Sequence, residues 1–406
     1  MKKGLFTLLL FVSITSFSQI YLKGKVTTTS NEILEGASVY LNNTTIGTST
    51  DEKGEFQLKI DKGVHNLIVS FIGFKTINHT INTNIKINAF HFKLTPESNI
   101  LNEVVLRKTK YDNDWWYNLN RFKQAFLGRT NLAKECIILN PKVLHFEYNA
   151  VKNKLTAYAK EPLKIKHKGL GYLIEYDLAN FSIKGKYISY SGYSKYSNLK
   201  PTLKKKWKRK RQKAYHGSQM HFFRSLLQKK LTEEGFVINQ FIRKPNPDRP
   251  TEIQIKMARE LIRLYPKKID FFKEIKKPVT PLDSAIVISK KISLPKYKDY
   301  LYKRNVPYKD IYVIDNNTPY LSFKNHLSII FKNEKEELNY VAGLFGKRRK
   351  ASNVQSSNIT LIVEKPIINK AGILINPHAI ITEGYWSYES FANMLPLNYQ
   401  IKKEKR

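Results

Sequence analysis

The sequence contains a single cysteine, Cys136, so no intrachain disulfide can form in its 406 residues. Acidic residues are scarce as well: 33 stand against 70 lysines and arginines, which leaves a net charge of +37. Beyond a short apolar stretch near the N-terminus, no segment approaches the roughly eighteen uninterrupted apolar residues of a membrane-spanning helix. We therefore expect no transmembrane helix once the N-terminal segment is removed. Cys136 stands in an apolar run and is expected to be a buried, inert thiol.

Signatures of catalysis are also missing. None of the nine histidines has an acidic residue three positions later, and His-Glu-x-x-His does not occur, which argues against a carboxypeptidase-type zinc site. Gly-x-Ser-x-Gly and the glycine-rich phosphate-binding motifs are absent too. The best nucleophile-and-base grouping is Ser218 beside His216 and His221, where Ser218 is better explained as a helix N-cap. We expect no catalytic residue, no metal and no cofactor.

The N-terminus has the pattern of an export signal. Lys2 and Lys3 precede an apolar stretch over residues 5–14, and small residues occupy the positions needed for cleavage after Ser18. This predicts a signal peptide over residues 1–18 and a protein of the periplasm or outer membrane. No cysteine lies near the cleavage point, so a lipoprotein is not expected.

The segment after the signal reads as short strands separated by turns. Asp51 and Gly54 bracket one turn, because an aspartate side chain caps backbone donors and glycine accepts a positive φ. Phe56, Leu58 and Ile60 then alternate with polar residues. About seven such strands follow within residues 19–95, which predicts an all-β sandwich.

Four ordered blocks of this segment carry a family resemblance. Residues 24–26, 34–39, 47–56 and 69–74 are similar to the carboxypeptidase-regulatory-like domain, and residues 101–106 resemble the segment that joins this domain to the plug of TonB-dependent receptors. The resemblance implies a transthyretin-like (prealbumin-like) sandwich without catalytic residues. A complete receptor is excluded, since a barrel of 22 strands does not fit into the remaining chain.

The charge is divided unevenly along the chain. Residues 20–106 hold eight lysines, no arginine and eight acids, and therefore carry no net charge. With Lys2 and Lys3 in the signal, the chain from Arg107 onward carries +35. A surface of this kind attracts polyanions, although a basic surface that serves only solubility remains the alternative.

Residues 96–114 are predicted to be a linker, and residues 115–406 a basic, strand-rich α+β domain. Apolar spacing predicts helices over residues 112–126, 219–231 and 388–395. Strands are predicted over residues 144–148, 155–159, 172–176, 181–190, 311–314, 327–331, 359–363 and 373–375. Residues 216–226 and 384–399 resemble an uncharacterised group of Gram-negative envelope proteins, a group that implies location and architecture but no activity.

The strongest charge signal is a run of ten residues with eight lysines or arginines. We expect it to stay in solvent as an anion-binding patch, with its tryptophan at the level of lipid head groups. Residues 347–350 and 402–406 are smaller copies. The members of the patch are Lys204, Lys205, Lys206, Trp207, Lys208, Arg209, Lys210, Arg211 and Lys213.

These features predict a non-catalytic cell-envelope protein whose basic domain contacts anionic lipid or acidic glycan. Export argues against nucleic acid as the partner. Two alternatives remain: a hydrolase of envelope polymers with a site scattered through residues 115–406, and an accessory partner of a TonB-dependent outer-membrane transporter.

Overall fold

The computed structural model describes residues 20–85, 88–97, 110–316, 318–342 and 349–401. Three predictions fall wholly outside these residues: the signal peptide over residues 1–18, the receptor-like segment 101–106 and the basic residues 402–406. The predicted linker 96–114 and the basic residues 347–350 fall partly outside them. The chain forms two compact units. The second unit is Gly217–Ser387, and the first comprises the residues on either side of it. The region predicted as one basic domain from residue 115 onward is therefore divided between the two units.

The first unit begins with a β-sandwich. Its seven strands are β1 (Ile20–Thr28), β2 (Ser38–Leu41), β3 (Gly47–Ser49), β4 (Glu55–Ile60), β5 (Val64–Ser70), β6 (Ile77–Asn82) and β7 (Phe90–Leu94). One sheet has the order β4-β1-β7 and the other β3-β2-β5-β6. Phe56, Leu58 and Ile60 all point into the core between them. The predicted sandwich is confirmed.

The turn before β4 follows the predicted chemistry. Asp51 Oδ1 accepts hydrogen bonds from the backbone N–H groups of Lys53 (2.9 Å) and Glu55 (2.8 Å). Gly54 has a φ of +70°, and a Cβ there would lie 2.7 Å from the carbonyl oxygen of Val26. Only glycine fits this position, because both the backbone conformation and the space exclude a side chain.

A helix and a six-stranded antiparallel sheet complete most of the first unit. The helix α1 (Asn113–Phe126) confirms the predicted one, and its Phe122 and Phe126 rings lie in an aromatic core with Phe181 and Phe391 at 4.5 Å between centroids. The sheet has the order β8-β11-β12-β10-β9, and β13 also pairs with β12. Its strands are β8 (Cys136–Ile138), β9 (Leu144–Asn149), β10 (Lys154–Ala159), β11 (Leu163–His167), β12 (Tyr172–Lys184) and β13 (Tyr187–Asn198), followed by helix α2 (Lys205–Tyr215).

The sandwich is hydrogen-bonded directly to this sheet. The Asn43 N–H donates to the carbonyl of Ser194 on β13 at 2.8 Å, and the Ser194 hydroxyl donates to Asn43 Oδ1 at 2.5 Å. Thr76 Oγ1 donates to Asp177 on β12 at 2.7 Å. The sandwich therefore packs on the second half of the unit and is held by more than its covalent connection.

The second unit is built on a five-stranded antiparallel sheet with the order β15-β14-β18-β19-β20. One face of this sheet packs on the helix that contains Phe222. The rings of Phe222, Phe236 and Phe331 form the centre of the core between the helix and the sheet. The elements in chain order are α3 (Gln219–Leu227), β14 (Phe236–Pro245), α4 (Glu252–Leu264), α5 (Pro281–Lys291), β15 (Tyr297–Lys303), β16 (Tyr312–Asp315), β17 (Thr318–Leu321), β18 (His326–Phe331), α6 (Leu338–Val341), β19 (Gln355–Leu361), β20 (Ile380–Gly384) and α7 (Tyr385–Glu389).

Two predicted helices end differently. The helix predicted over residues 219–231 stops at Leu227, and Gly235 instead precedes β14 with a φ of +90°. The terminal helix is α7 plus a single 3-10 turn, because Ser390 breaks it with a φ of +50°. The Ser390 hydroxyl there lies 3.1 Å from the carbonyl oxygen of Ala125 at the end of α1, where it caps unpaired acceptors. Helices α4 and α5 were not predicted.

Candidate functional site

The basic run singled out in the sequence is mostly the helix α2. One stripe of the helix faces inward, formed by Trp207, Arg211, Ala214 and Tyr215. This spacing of four, three and one residues places all four on one side of an α-helix. The expectation that the whole run stays in solvent is wrong for this stripe.

Trp207 is buried and anchors the start of α2. Its indole N–H donates to the carbonyl of Lys168 at 2.9 Å. Its ring fills the space above Gly171, where a Cβ would lie 2.2 Å from the ring and where φ is +74°. The predicted position of this tryptophan at lipid head groups is therefore wrong, because the ring is enclosed by its own unit.

Arg211 also holds the helix against the rest of the first unit. Its guanidinium donates to the carbonyl of Leu170 at 2.8 Å and to Asn198 Oδ1 at 3.0 Å. The guanidinium carbon lies 3.7 Å from the centre of the Tyr172 ring, a cation–π distance. Burial lowers the pKa of Arg211 from its ordinary value. This cation is occupied by internal acceptors and does not belong to an anion-binding surface.

The opposite side of α2 is exposed and cationic. Lys205, Lys206, Arg209 and Lys213 face solvent, and at 3.6 residues per turn they share an arc of about 100°. We call these four residues the cationic face. None of them forms an ion pair with an acid in the part of the chain that the structure describes. The cationic face therefore presents uncompensated positive charge to solvent.

The remaining basic residues of the run lie at the borders of the cationic face. Lys210 forms an ion pair with Glu135. Lys204, at the N-cap, is exposed and places Nζ 5.5 Å from the centre of the Trp207 ring. Lys208 is half-buried. The run is therefore divided into a buried stripe, the Lys210–Glu135 ion pair and an exposed cationic surface.

A second row of exposed lysines was not predicted from the sequence. Lys164, Lys166 and Lys168 alternate along the strand β11 and its end, and all three are exposed while the residues between them are buried. Lys168 lies next to α2, because its carbonyl accepts the Trp207 indole. The period-two alternation of lysine with Leu163 and Ile165 was the available signal.

The weak catalytic candidates occupy structural positions. Ser218 is the N-cap of α3, where its Oγ accepts from the His221 N–H at 3.2 Å. His221 is buried; its Nδ1 accepts from the Gly217 N–H at 3.1 Å, and its Nε2 lies 3.2 Å from Glu234 Oε2. Since Nδ1 accepts, Nε2 carries the proton and donates to Glu234. His216 ends α2, where its backbone N–H donates to the Gln212 carbonyl.

The thiol of Cys136 is half-buried and lies 3.6 Å from the carbonyl oxygen of Leu132. Burial, with a smaller contribution from the charge of Glu135, raises the pKa of Cys136 to about 12. The thiol is therefore protonated at neutral pH, and a protonated thiol is a poor nucleophile.

Two surface concavities have volumes of about 490 and 320 Å³. Neither brings a serine, cysteine or histidine together with a carboxylate. Among the described residues, no group of three or more histidine, cysteine or acidic side chains could hold a metal ion. The larger concavity is lined by Met257, Glu260, Leu261, Leu264, Tyr265 and Pro266, and the smaller by Ile20, Tyr21, Leu22, Lys23, Ile85, Asn88 and Ala89.

Comparison with known proteins agrees with the architecture of the sandwich. Residues 22–106 match the CarboxypepD_reg-like domain. This segment is a CarboxypepD_reg-like domain. It includes all of the described strands of the sandwich after the start of β1.

The same region carries the similarity to a curated relative. The TonB-dependent receptor SusC of Bacteroides thetaiotaomicron is 37% identical over 115 residues, which cover 26% of this chain and 11% of the receptor. The chain thus spans only a small part of this relative. Among the described residues, no helix is both long and apolar enough to cross a membrane.

A solved DUF3823 family protein from Bacteroides ovatus is similar over 46% of this chain and 83% of its own. The identity is 11% and the TM-score 0.17. A TM-score of this size does not establish a common fold.

Proposed function

We propose that this protein is a non-catalytic accessory protein of the cell envelope, whose cationic face binds an anionic envelope component. The group that is bound is a phosphate or a carboxylate, which a lipid head group or an acidic glycan carries. The observation that carries the proposal is the cationic face itself: Lys205, Lys206, Arg209 and Lys213 are exposed without an acidic partner among the described residues.

The way α2 is seated supports the proposal. Four like charges on one arc repel one another, so the helix needs strong internal contacts to hold them together. Trp207 and Arg211 supply these contacts through the backbone carbonyls of Lys168 and Leu170. The cationic face is therefore presented rigidly, and binding an anion requires no folding step.

The size of the expected attraction supports an anionic surface as the partner. A lysine or arginine near an anionic membrane contributes about 1 kcal/mol, so four of them are sufficient for measurable, salt-sensitive binding. The CarboxypepD_reg-like domain carries no net charge and would leave this attraction to the rest of the chain. Similarity of that domain to the TonB-dependent receptor SusC supports a location in the envelope.

The test is a double charge reversal, Arg209→Glu with Lys213→Glu. Binding is measured by flotation with phosphatidylglycerol vesicles and, separately, by retention on immobilised polygalacturonate, so the lipid and glycan sources are distinguished. We expect the variant to bind at least about tenfold more weakly to one of the two probes, with a shallower salt dependence.

The matched control is Lys53→Glu with Lys59→Glu, which makes the same charge change at exposed positions of the sandwich. If both double variants weaken binding equally, the effect is one of net charge and the proposed site is wrong. If the protein without substitutions binds neither probe at low salt, the proposed function is wrong.

A second candidate function is an accessory partner of a TonB-dependent transporter. The observation that favours it is the 37% identity with the receptor SusC over 115 residues. We would cross-link the protein in outer-membrane extracts and identify partners by mass spectrometry, comparing it with the variant Tyr21→Ser with Ile85→Ser. Both side chains are exposed beside the smaller concavity of the sandwich. Recovery of the same receptor with both forms would count against docking through this surface.

A further inference from the structure

The second unit contains a helical hairpin that the sequence analysis did not predict. It runs from α4 through a connecting segment to α5, and we call residues 252–291 the α4–α5 hairpin. Ile255 and Ala258 of α4 and Ala285 and Ile286 of α5 are its buried residues. Both helices begin with a complete capping box, which fixes where each one starts.

A second apolar stripe of α4 faces outward. Ile253, Met257 and Leu264 are exposed, and their spacing places them within an arc of about 40° on the helix. The larger surface concavity, of about 490 Å³, lies along this stripe. Apolar side chains grouped on one exposed helix face are typical of a surface that is covered by something else.

The connecting segment between α4 and α5 also exposes apolar side chains. The apolar side chains of Phe272 and Val279 are 96% and 87% exposed. Phe271 next to Phe272 is exposed as well. A fully exposed phenylalanine lacks the stabilisation that burial of its ring would give, so its exposed position between α4 and α5 favours contact with an apolar phase.

Positive charge lies along one side of this apolar stripe, with Glu260 at the border between them. The hairpin holds ten lysines and arginines and five acids, a net charge of +5. Lys256, Arg259 and Arg263 form a stripe at spacings of three and four along α4, beside the apolar stripe, and all three are exposed. Of the acids, Glu252 is already paired with Arg249 and Lys296.

We propose that the α4–α5 hairpin is an interfacial lipid-binding element. Met257, Leu264 and Phe272 enter the boundary between acyl chains and head groups of an anionic membrane, while Lys256, Arg259 and Arg263 meet the lipid phosphates. Charge complementarity decides for lipid, because an apolar stripe with a row of lysine and arginine beside it is the arrangement by which amphipathic helices lie on anionic membranes. This site is separate from the cationic face, since it lies on the other unit and requires apolar insertion.

The first test removes apolar surface and leaves charge unchanged. We compare the protein with the variant Met257→Ser with Phe272→Ser in flotation assays with phosphatidylcholine vesicles, with and without phosphatidylglycerol. We expect the double variant to bind vesicles containing phosphatidylglycerol about tenfold to a hundredfold more weakly, the loss that burial of such side chains predicts. Pure phosphatidylcholine vesicles should bind neither form well.

The control is Ile72→Ser with Val151→Ser, which removes apolar side chains of similar exposure from the first unit. This variant should bind vesicles like the protein without substitutions. Because all four side chains are exposed, none of these substitutions should impair folding. Equal binding of both double variants would overturn the lipid proposal.

The second test reports insertion directly. A thiol is placed by Phe272→Cys, labelled with an environment-sensitive fluorophore and compared with Val151→Cys, which is 97% exposed in the protein. Labelling at neutral pH is selective, since burial raises the pKa of Cys136 to about 12. On vesicles containing phosphatidylglycerol, we expect a blue shift at position 272 and none at position 151.

The outcomes separate this proposal from the cationic face. If vesicles bind the protein and position 272 shows no blue shift, the hairpin proposal is wrong and the α2 proposal is untouched. If Arg209→Glu with Lys213→Glu abolishes binding to polygalacturonate while the blue shift persists, both sites are supported independently. If Met257→Ser with Phe272→Ser changes only self-association in sedimentation without vesicles, the surface binds a second copy and the lipid proposal is overturned.

Discussion

Helices α2 and α4 are both basic and amphipathic, yet they use their apolar side chains in opposite ways. α2 turns its large apolar residue, Trp207, into the protein and leaves the cationic face outside. α4 buries only Ile255 and Ala258 and turns Met257 and Leu264 toward solvent. Helix α2 therefore exposes charge while its apolar side is packed against the protein. Helix α4 exposes apolar side chains next to charged ones.

This difference separates two ways of meeting an anionic surface. A helix with its apolar stripe already buried gains only electrostatic attraction from a membrane, and this attraction is screened by salt. A helix with an exposed apolar stripe also gains from removing that stripe from water, which salt does not screen. Salt dependence should therefore be steeper for α2 than for α4.

Among the substitutions that test this comparison, Trp207→Ala is expected to have the largest effect on stability. We expect the free energy of unfolding of the first unit to fall by about 3–5 kcal/mol, because a buried ring and its hydrogen bond to Lys168 are lost. Met257→Ala on α4 should change stability by less than about 0.5 kcal/mol, as is usual for exposed side chains. Urea unfolding followed by circular dichroism measures both. Equal losses would show that α4 is seated as firmly as α2.

Arg211→Met is expected to have the next largest effect on stability. The substitution keeps the aliphatic volume but leaves the carbonyl of Leu170 without its donor, which costs about 1–3 kcal/mol. The matched control is Arg259→Met on α4, where the guanidinium is exposed and little should change. A stabilised Arg211→Met protein would mean that desolvation of the cation outweighs its hydrogen bonds, and that Arg211 is kept for another reason.

Mild acid should destabilise the packing of α2, whereas Glu252 and Asp283 of the α4–α5 hairpin have lowered pKa values and are protonated only at lower pH. His167 is buried beside the residues that hold Trp207, its Nε2 donates to the carbonyl of Ala392 at 2.8 Å, and burial lowers its pKa below 6.5. The unfolded chain therefore binds a proton that the folded chain resists, so stability is lost as the pH falls below about 6.5. Hydrogen exchange resolved along α2 and α4 measures the effect.

The control for this pH dependence is His167→Gln, which should flatten it. Asp177 works in the opposite direction, because burial raises its pKa and the unfolded chain releases its proton first. Its contribution to stability therefore grows as the pH falls through that raised pKa. Subtracting the His167→Gln profile isolates the histidine, and identical profiles would contradict its role.

Local patterns predicted the sandwich and α1, because both bury side chains at the period of their own element. Phe56, Leu58 and Ile60 alternate along β4, and Leu119, Phe122 and Phe126 follow one face of α1. The direct packing of Asn43 on Ser194 could not be predicted in the same way. Contacts between residues so distant in sequence leave no periodic trace in a single chain.

The basic run shows the opposite limit. Its composition predicted exposure, but composition does not record that Arg211 meets a ring and two carbonyls placed by β12 and the loop before it. The α4–α5 hairpin was not predicted, although the sequence contains the capping boxes Thr251–Gln254 and Thr280–Asp283. Apolar residues on two sides of α4 obscured its single-face periodicity.

The smallest expected effect concerns charge alone, and it should have opposite signs on the two helices. Arg209 stands four residues from both Lys205 and Lys213, so Arg209→Gln relieves two like-charge contacts and should stabilise the first unit by about 0.5 kcal/mol at low salt. Lys256 of α4 stands four residues from Glu260, so Lys256→Gln should be slightly destabilising. Thermal unfolding at low and high salt measures both, and salt should remove both effects. If Arg209→Gln destabilises the protein, an acid compensates the cationic face after all. In that case α2 carries its charge for internal reasons, and the contrast with α4 no longer holds.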